Sequence, residues 1–222
     1  MKNLIILGKS TSINVRKVLW TCAEIGLDYQ LIEYGSGTQR ALDTPEFLQL
    51  NPNAMVPVLL TDEGHLWESN TICRYLATRY QCNKRNEREG REEREHLLPS
   101  SAMARAQVEK WMDWQATELN NAWRYAFMGL VREHPAFQDS VAIASSVQQW
   151  NRAMGILEAQ LQSTGAYVQG PALSLADIGL GLSLHRWLES PITHASYPAL
   201  QSYYALLKRT SQFAQFAQAG VA

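Results

Sequence analysis

Apolar positions in the first eighty residues come in short runs, and beyond them they recur almost only at helical spacing. Leu4 to Leu7 is a compact apolar run that predicts a strand, and the polar loop Gly8-Lys9-Ser10-Thr11-Ser12-Ile13-Asn14 follows it. From Val15 to Ile25, apolar residues at Val18, Leu19, Cys22 and Ile25 keep a 3.6-residue period, which predicts a helix that Gly26 ends. Tyr29 to Tyr34 alternates as a second strand, Gly35-Ser36-Gly37 reads as a loop, and Thr44-Pro45-Glu46-Phe47-Leu48 opens a short helical turn before Asn51-Pro52. Val56 to Leu60 is a third strand, interrupted at its start by Pro57, which cannot donate to a ladder. A turn at Asp62-Glu63-Gly64, a strand through Leu66 and Trp67, and Glu68-Ser69 at the mouth of a helix reaching Tyr80 complete the region. The order strand, helix, strand, helix, strand, strand, helix predicts an α/β domain.

Strand signals nearly vanish after Tyr80. Lys84 to His96, KRNEREGREEREH, is almost wholly charged with both signs balanced, carries Gly90 and shows no apolar stripe; it reads as a mobile extension between domains. After Pro99, Ala104, Val108, Trp111, Gln115, Leu119, Ala122 and Ala126 share one broad face of a long helix. Further helices are predicted over about Val141 to Leu161, Leu175 to Leu188 and Pro198 to Phe216. The chain therefore divides into an α/β domain over 1–81, a charged extension over 82–98 and an all-helical domain over 99–222. Within the last, Leu173-Ser174-Leu175-Ala176-Asp177-Ile178 has Ser174 as N-cap, Asp177 three residues on and the Leu173–Ile178 pair as a staple, a start signal that serves stability.

Composition narrows the function classes. Lys and Arg number 20 against 21 Asp and Glu in 222 residues, a net of −1, so no basic excess points to nucleic acid or an anionic membrane. No apolar stretch approaches the roughly 20 residues of a membrane span, and the run at the start is too short for a signal peptide. Cys22, Cys73 and Cys82 neither pair by spacing nor form C-x-x-C, which fits free thiols in a reducing cytoplasm. His65, His96, His134, His185 and His194 are scattered without ligand spacing, so no metal is expected.

Two places carry chemistry. Glu68-Ser69 sits at a helix N-terminus, where open backbone amides and the helix dipole bind carboxylates; a buried hairpin ending in a plain Ser cap is the structural alternative. The loop Ser10-Thr11-Ser12-Ile13-Asn14 gathers short polar donors in front of the first helix, and its structural alternative is likewise a polar cap. The constellation Val56-Pro57, hairpin, Glu68-Ser69, helix resembles the glutathione-binding half of the glutathione transferase superfamily. Ser12-Ile13-Asn14-Val15-Arg16-Lys17 is similar to the hydroxyl-x-Asn-x-x-Lys pattern of its theta-like bacterial members, and Lys110 to Trp114 through Asn121 to Arg132 resembles the same group.

The resemblance implies a thioredoxin-like first domain, an all-α second domain and, as activity, attack of the glutathione thiolate on a small electrophile. It gives Ser12 first and Asn14 second the task of stabilising that thiolate, with Thr11 and Ser10 as alternative registers. The cysteinyl backbone of glutathione would pair with Val56 before a cis Pro57, although the sequence leaves the isomer open. Its γ-glutamyl end would go to Glu68 and Ser69, and its glycyl carboxylate to Gln39 or Arg40. Met55 stands where many relatives carry Lys. The electrophile would meet Trp114, Trp123, Arg124 and Met128, although an aromatic stripe at helical spacing also suits a core. The resemblance further implies a cytoplasmic homodimer with glutathione as co-substrate and neither metal, nucleic acid nor membrane as partner. A non-catalytic transferase-like binding module and a glutathione-dependent disulfide or peroxide reductase are the rival readings. The absence of Tyr and Cys from the first loop disfavours the Tyr-dependent and Cys-dependent classes.

Overall fold

The computed structural model describes residues 4–84 and 96–217, so most of the charged stretch, 85–95, lies outside the described residues. Among them the chain forms two compact units. One runs to Leu98 and is rejoined by the stretch from Gln215; the other is Pro99–Ala214.

In the first unit, β1 (Leu4–Leu7), α1 (Ile13–Glu24), β2 (Tyr29–Ile32), α2 (Pro45–Leu50), β3 (Val58–Thr61), β4 (Gly64–Trp67) and α3 (Ser69–Lys84) follow in order. The sheet order is β2-β1-β3-β4; β1 is parallel to β2 and antiparallel to β3. Register sets Ile6 opposite Leu59, and both are wholly buried at the centre of the sheet. On one side, Phe47 from α2 packs with Leu7 and Val58, and Ile32, Tyr34 and Val56 close around them. Thr44 caps α2 by accepting from the Phe47 N–H at 3.3 Å, and Pro45 takes the first helical position, where its missing N–H has no cost. Gly8 is required where β1 leaves the sheet, because a Cβ there would sit 2.6 Å from the Val15 side chain. Gly26 ends α1 at φ +67°, as the sequence predicts.

In this unit β2 stops at Ile32 rather than Tyr34, α3 runs past Tyr80 to Lys84, and α1 and β3 start elsewhere than the sequence reading has them. α1 begins at Ile13, earlier than Val15, because Ile13 and Asn14 accept helical dihedrals once Ser12 takes the extended cap conformation. β3 begins at Val58, later than Val56, since Pro57 has no N–H to lend a ladder.

The second unit is helical: α4 (Ala102–Trp114), a π-helical turn (Gln115–Leu119), α5 (Asn120–Leu130), α6 (Ser140–Thr164), α7 (Leu175–Glu189), α8 (Pro198–Leu207) and α9 (Ser211–Phe216), whose last turn passes into the first unit. The long helix expected after Pro99 is thus continuous in direction but widened by a π-turn. There the buried Gln115 amide donates to Asn120 Oδ1 at 3.0 Å and Ser183 Oγ of α7 at 3.1 Å. The single helix expected over Pro198 to Phe216 is two, because the Thr210 hydroxyl accepts from the Phe213 N–H and restarts the chain as α9. α7 lies at the centre, buried from Leu175 to Trp187, and Ser174 and Asp177 start it as the sequence predicts: the Ser174 N–H and Oγ donate to Asp177 at 2.8 and 2.7 Å.

The start of α8 is built differently. Its N-cap, Tyr197, makes no side-chain cap, and Pro198 occupies the first position. Glu158, a buried carboxylate projecting from α6, fills the role: it accepts from the Ala199 N–H at 3.0 Å and from the Leu200 N–H at 2.8 Å.

Candidate active site

Ser12 and Asn14 stand at the N-terminal end of α1 and Ser69 at that of α3, and the two ends are joined by a polar contact. Ser12 is the N-cap of α1, with φ −70° and ψ 127°. In most helices a serine there spends its hydroxyl oxygen on the N–H of the second or third residue. Here the side chain makes no capping bond, and the Ser12 backbone closes the loop instead: its N–H donates to Lys9 O at 2.9 Å and its carbonyl receives the Arg16 N–H at 2.9 Å. Arg16 is the first residue of α1 with an N–H bond to a cap carbonyl, so the earlier amides lie open at the positive end of the helix dipole.

The neighbouring hydroxyls are placed differently. Ser10 is exposed and its N–H is taken by both Glu33 carboxylate oxygens at 3.2 Å each, which ties this side of the loop to the end of β2. Thr11 is half-buried. Asn14, in the first turn of α1, receives the Ser69 hydroxyl on Oδ1 at 3.4 Å, so α1 and α3 meet through a polar contact. One turn further, the buried Lys17 ammonium donates to Asn70 Oδ1 at 3.4 Å and joins the same two helices. Ser69 is only 6% exposed. Glu68 before it is exposed and holds φ +71°, a left-handed conformation that a non-glycine residue adopts only under constraint.

Pro57 is buried and the Val56–Pro57 bond is cis. Asn51, which the sequence reading missed, fixes the preceding loop: its Nδ2 donates to Met55 O at 2.8 Å and its Oδ1 accepts from the Asn53 N–H at 3.1 Å. An Asn-Pro dipeptide before a proline-led strand was the available signal. Gln39 and Arg40 are exposed on the loop after β2, where the Arg40 guanidinium lies 5.8 Å from the Tyr34 ring centre.

Arg16 is buried in α1 and donates to Phe216 O at 3.2 Å and Ala217 O at 3.1 Å, so the stretch after α9 is bound to the helix that carries Ser12. Burial lowers its guanidinium pKa. The Cys22 and Cys73 thiols are free and buried. Burial raises both, Cys22 further and Cys73 to about 11, so neither supplies a thiolate.

In the second unit the four candidate pocket residues part company. Trp114 is half-buried and meets Trp111 edge-on at 5.1 Å. Trp123 donates to Asn120 Oδ1 at 3.0 Å and lies under the buried Arg186 guanidinium, 4.5 Å from its ring centre, with Phe127 and Trp150 against it. It therefore packs as part of the helical core. Arg186, not singled out in the sequence, is the buried cation over Trp123 and Phe127, whereas Arg124 is exposed and Met128 half-buried.

Comparison with known proteins identifies the family and the fold. Residues 2–78 match the family model of the glutathione S-transferase N-terminal domain. Glutathione S-transferase GstB of Escherichia coli (strain K12) is 35% identical over 202 residues, which make up 90% of this chain and 90% of that protein. The chain belongs to the glutathione S-transferase family. The theta class glutathione S-transferase of Xanthomonas axonopodis pv. citri, solved with glutathione bound, shares 33% identity and a TM-score of 0.85 with this transferase, over 100% of both chains. Elongation factor 1-gamma 2 of Oryza sativa subsp. japonica is 29% identical over 90% of this chain, which corresponds to only 45% of that longer protein. The transferase is an enzyme of the bacterial theta-like kind, with a thioredoxin-like α/β unit and a helical unit.

Proposed function

We propose that the transferase activates glutathione at the N-terminal turn of α1, with Ser12 as the first donor to the sulfur and Asn14 as the second. The observation that carries this reading is the Ser12 hydroxyl, which stands at the cap of α1 and does not cap it. A thiol of ordinary pKa near 8.5 is only a few per cent ionised at neutral pH. One donated hydrogen bond to the anion lowers a thiol pKa by about one to two units, and the open end of a helix lowers it further. The thiol proton leaves to solvent; the thiolate then forms a carbon–sulfur bond with a small electrophile, whose leaving group departs with the electron pair.

Glutathione would be held along the same surface. The Val56 backbone, which precedes the ladder, suits the cysteinyl unit, and Glu68 with the N-terminus of α3 suits the γ-glutamyl ammonium and carboxylate. Gln39 and Arg40, exposed beside Tyr34, suit the glycyl carboxylate. For the electrophile, Trp114, Arg124 and Met128 remain the candidate contacts on the helical unit. A homodimer in the cytoplasm is the expected state, and a single 25 kDa species in sedimentation at micromolar concentration refutes the dimer.

Ultraviolet titration of the enzyme-bound thiolate tests the activation. Ser12→Ala is expected to raise the bound thiol pKa by about one to two units, the worth of one hydrogen bond to an anion. A variant that titrates like wild type, while Thr11→Ala or Ser10→Ala shifts, assigns the role to the neighbouring register.

A further inference from the structure

We propose that the helical unit holds a second ligand site, between α7 and α8, for a small flat aromatic molecule carrying one negative charge. Every residue of the site lies in that unit, and the proposal is independent of how the sulfur of glutathione is activated.

The site is a partly open cavity of about 430 Å³, within the roughly 300–1,000 Å³ of pockets that hold small molecules. Leu184 and Leu188 of α7 and Leu200 of α8 form its aliphatic wall, and Trp187, Tyr197 and Tyr204 supply aromatic faces. These rings are fixed from behind. Trp187 Nε1 donates to Asn151 Oδ1 at 3.0 Å and the Tyr197 hydroxyl donates to Asn151 O at 2.8 Å, whereas Asn151 itself, on α6, does not line the cavity. The two ring centres stand 6.1 Å apart with their planes 35° from parallel. His194, on the same wall, meets the indole edge-on at 4.6 Å and is held there by its Nε2, 2.6 Å from Trp187 O. The Tyr204 hydroxyl is engaged with His185 Nδ1 at 2.8 Å. The polar atoms of the aromatic wall are thus spent inside the protein, and what remains for a ligand is ring surface, which suits another flat ring.

The mouth differs from the wall. Gln201, Tyr204 and Lys208 follow at intervals of three and four residues, so they share one face at the α8 side of the cavity. The Lys208 ammonium lies 4.8 Å from the Tyr204 ring centre, and among the described residues neither a carboxylate pairs with it nor a hydrogen bond engages the Gln201 side chain. A cation and a carboxamide left open at the rim of an aromatic pocket recognise a single anionic group on the bound ring. The number of charges is limited by Glu189 at the end of α7. Burial, and after it the Glu189 carboxylate, raise the Tyr204 phenol above its ordinary value. Negative charge already stands near this ring, and a dianion meets repulsion that a monoanion seated at Lys208 avoids. An extended peptide finds no backbone partners here, because α7 and α8 spend theirs within the helices.

Calorimetry of the full-length protein with 2-naphthoate, and with its uncharged counterpart 2-naphthamide, reads the site while saturating S-hexylglutathione fills the glutathione and electrophile sites. 2-Naphthoate is expected to bind with a Kd of about 0.1–1 mM, as befits so small a ligand, and about fivefold more tightly than 2-naphthamide. Lys208→Gln is expected to bind both equally, at the wild-type affinity for 2-naphthamide, whereas Lys110→Gln, exposed on α4, keeps the wild-type preference. The Trp187 indole N–H resonance, assigned with Trp187→Phe, is expected to shift as 2-naphthoate is added. Heat indistinguishable from dilution at about 5 mM ligand, a Trp187 resonance that stays in place, or a preference for 2-naphthoate that survives Lys208→Gln overturns the proposal. Binding seen only when S-hexylglutathione is left out overturns it as well, because the ring then enters the site that glutathione and its electrophile share.

Discussion

Removing the Glu158 carboxylate tests how the helical unit is held together. Two backbone N–H groups at the start of α8, those of Ala199 and Leu200, depend on this side chain of α6. Tyr197 offers no side-chain cap in its place, and Pro198 offers no N–H. A hydrogen bond to a charged acceptor contributes about 1.5–3 kcal/mol, and an exposed helix cap about 0.5–2 kcal/mol. Glu158 is 5% exposed, so little solvent stands ready to replace it, and two bonds less some relaxation give about 3 kcal/mol for Glu158→Ala. In a chain of this length that lowers the thermal midpoint by about 6–12 °C. Glu158→Gln keeps one acceptor oxygen and is expected to lose about half as much. Gln162→Ala removes a neighbour that donates to Glu158 Oε1 at 2.9 Å without touching α8, and serves as the control. Differential scanning calorimetry of the three variants reads the shifts. If Glu158→Ala stays within about 1 kcal/mol of wild type, the start of α8 does not depend on a borrowed cap and the reasoning fails.

Glu68→Gln is expected to weaken glutathione binding by about 1.5–3 kcal/mol, roughly ten- to a hundredfold, through loss of one charge-assisted bond to the α-ammonium. Calorimetry with glutathione and with an analogue lacking the α-amino group checks this, since only wild type should discriminate between the two ligands. Alkaline stability follows from the buried thiols. The fold keeps Cys73 protonated up to about 11 against an ordinary 9.0, so its contribution is complete below pH 9 and is lost as pH rises from 9 through 11. The shift corresponds to about 2–3 kcal/mol. Denaturant melts of wild type and Cys73→Ala across that window should converge as pH rises, and a constant gap would show that the thiol does not titrate against folding.

What the sequence makes legible follows the strength of local signals. β1 needs only its apolar run, and α7 announces itself through Ser174 and Asp177, because capping chemistry is local. The break between α8 and α9 is hidden: Lys208-Arg209-Thr210 contains neither Gly nor Pro, and the apolar spacing runs on through Phe213 and Phe216. Glu158 is equally silent, since its partners are some forty residues away and nothing around it marks a cap. In the candidate site, Ser12, Asn14, Glu68 and Ser69 are singled out by the resemblance of their motifs, but the unused Ser12 cap and the Ser69–Asn14 contact depend on how two helix ends meet. The aromatic stripe of α5 shows the limit from the other side. Trp123 has the spacing of a pocket residue and the surroundings of a core residue, and Arg186, which decides between them, comes from another helix.

The bond from Arg16 to Phe216 and Ala217 also sets an order of events during synthesis. The α/β unit leaves the ribosome long before the carbonyls that receive its buried guanidinium exist, with all of 99–214 still to be made. Domains that emerge first generally fold first, yet here the helix bearing Ser12 lacks two of its acceptors until translation has passed Ala217. A nascent chain stalled before that point lacks these two acceptors for Arg16, and a fragment cut at Leu98 never acquires them. The α/β half of this protein is therefore a discontinuous folding unit, completed only when residues that follow the helical unit return to it.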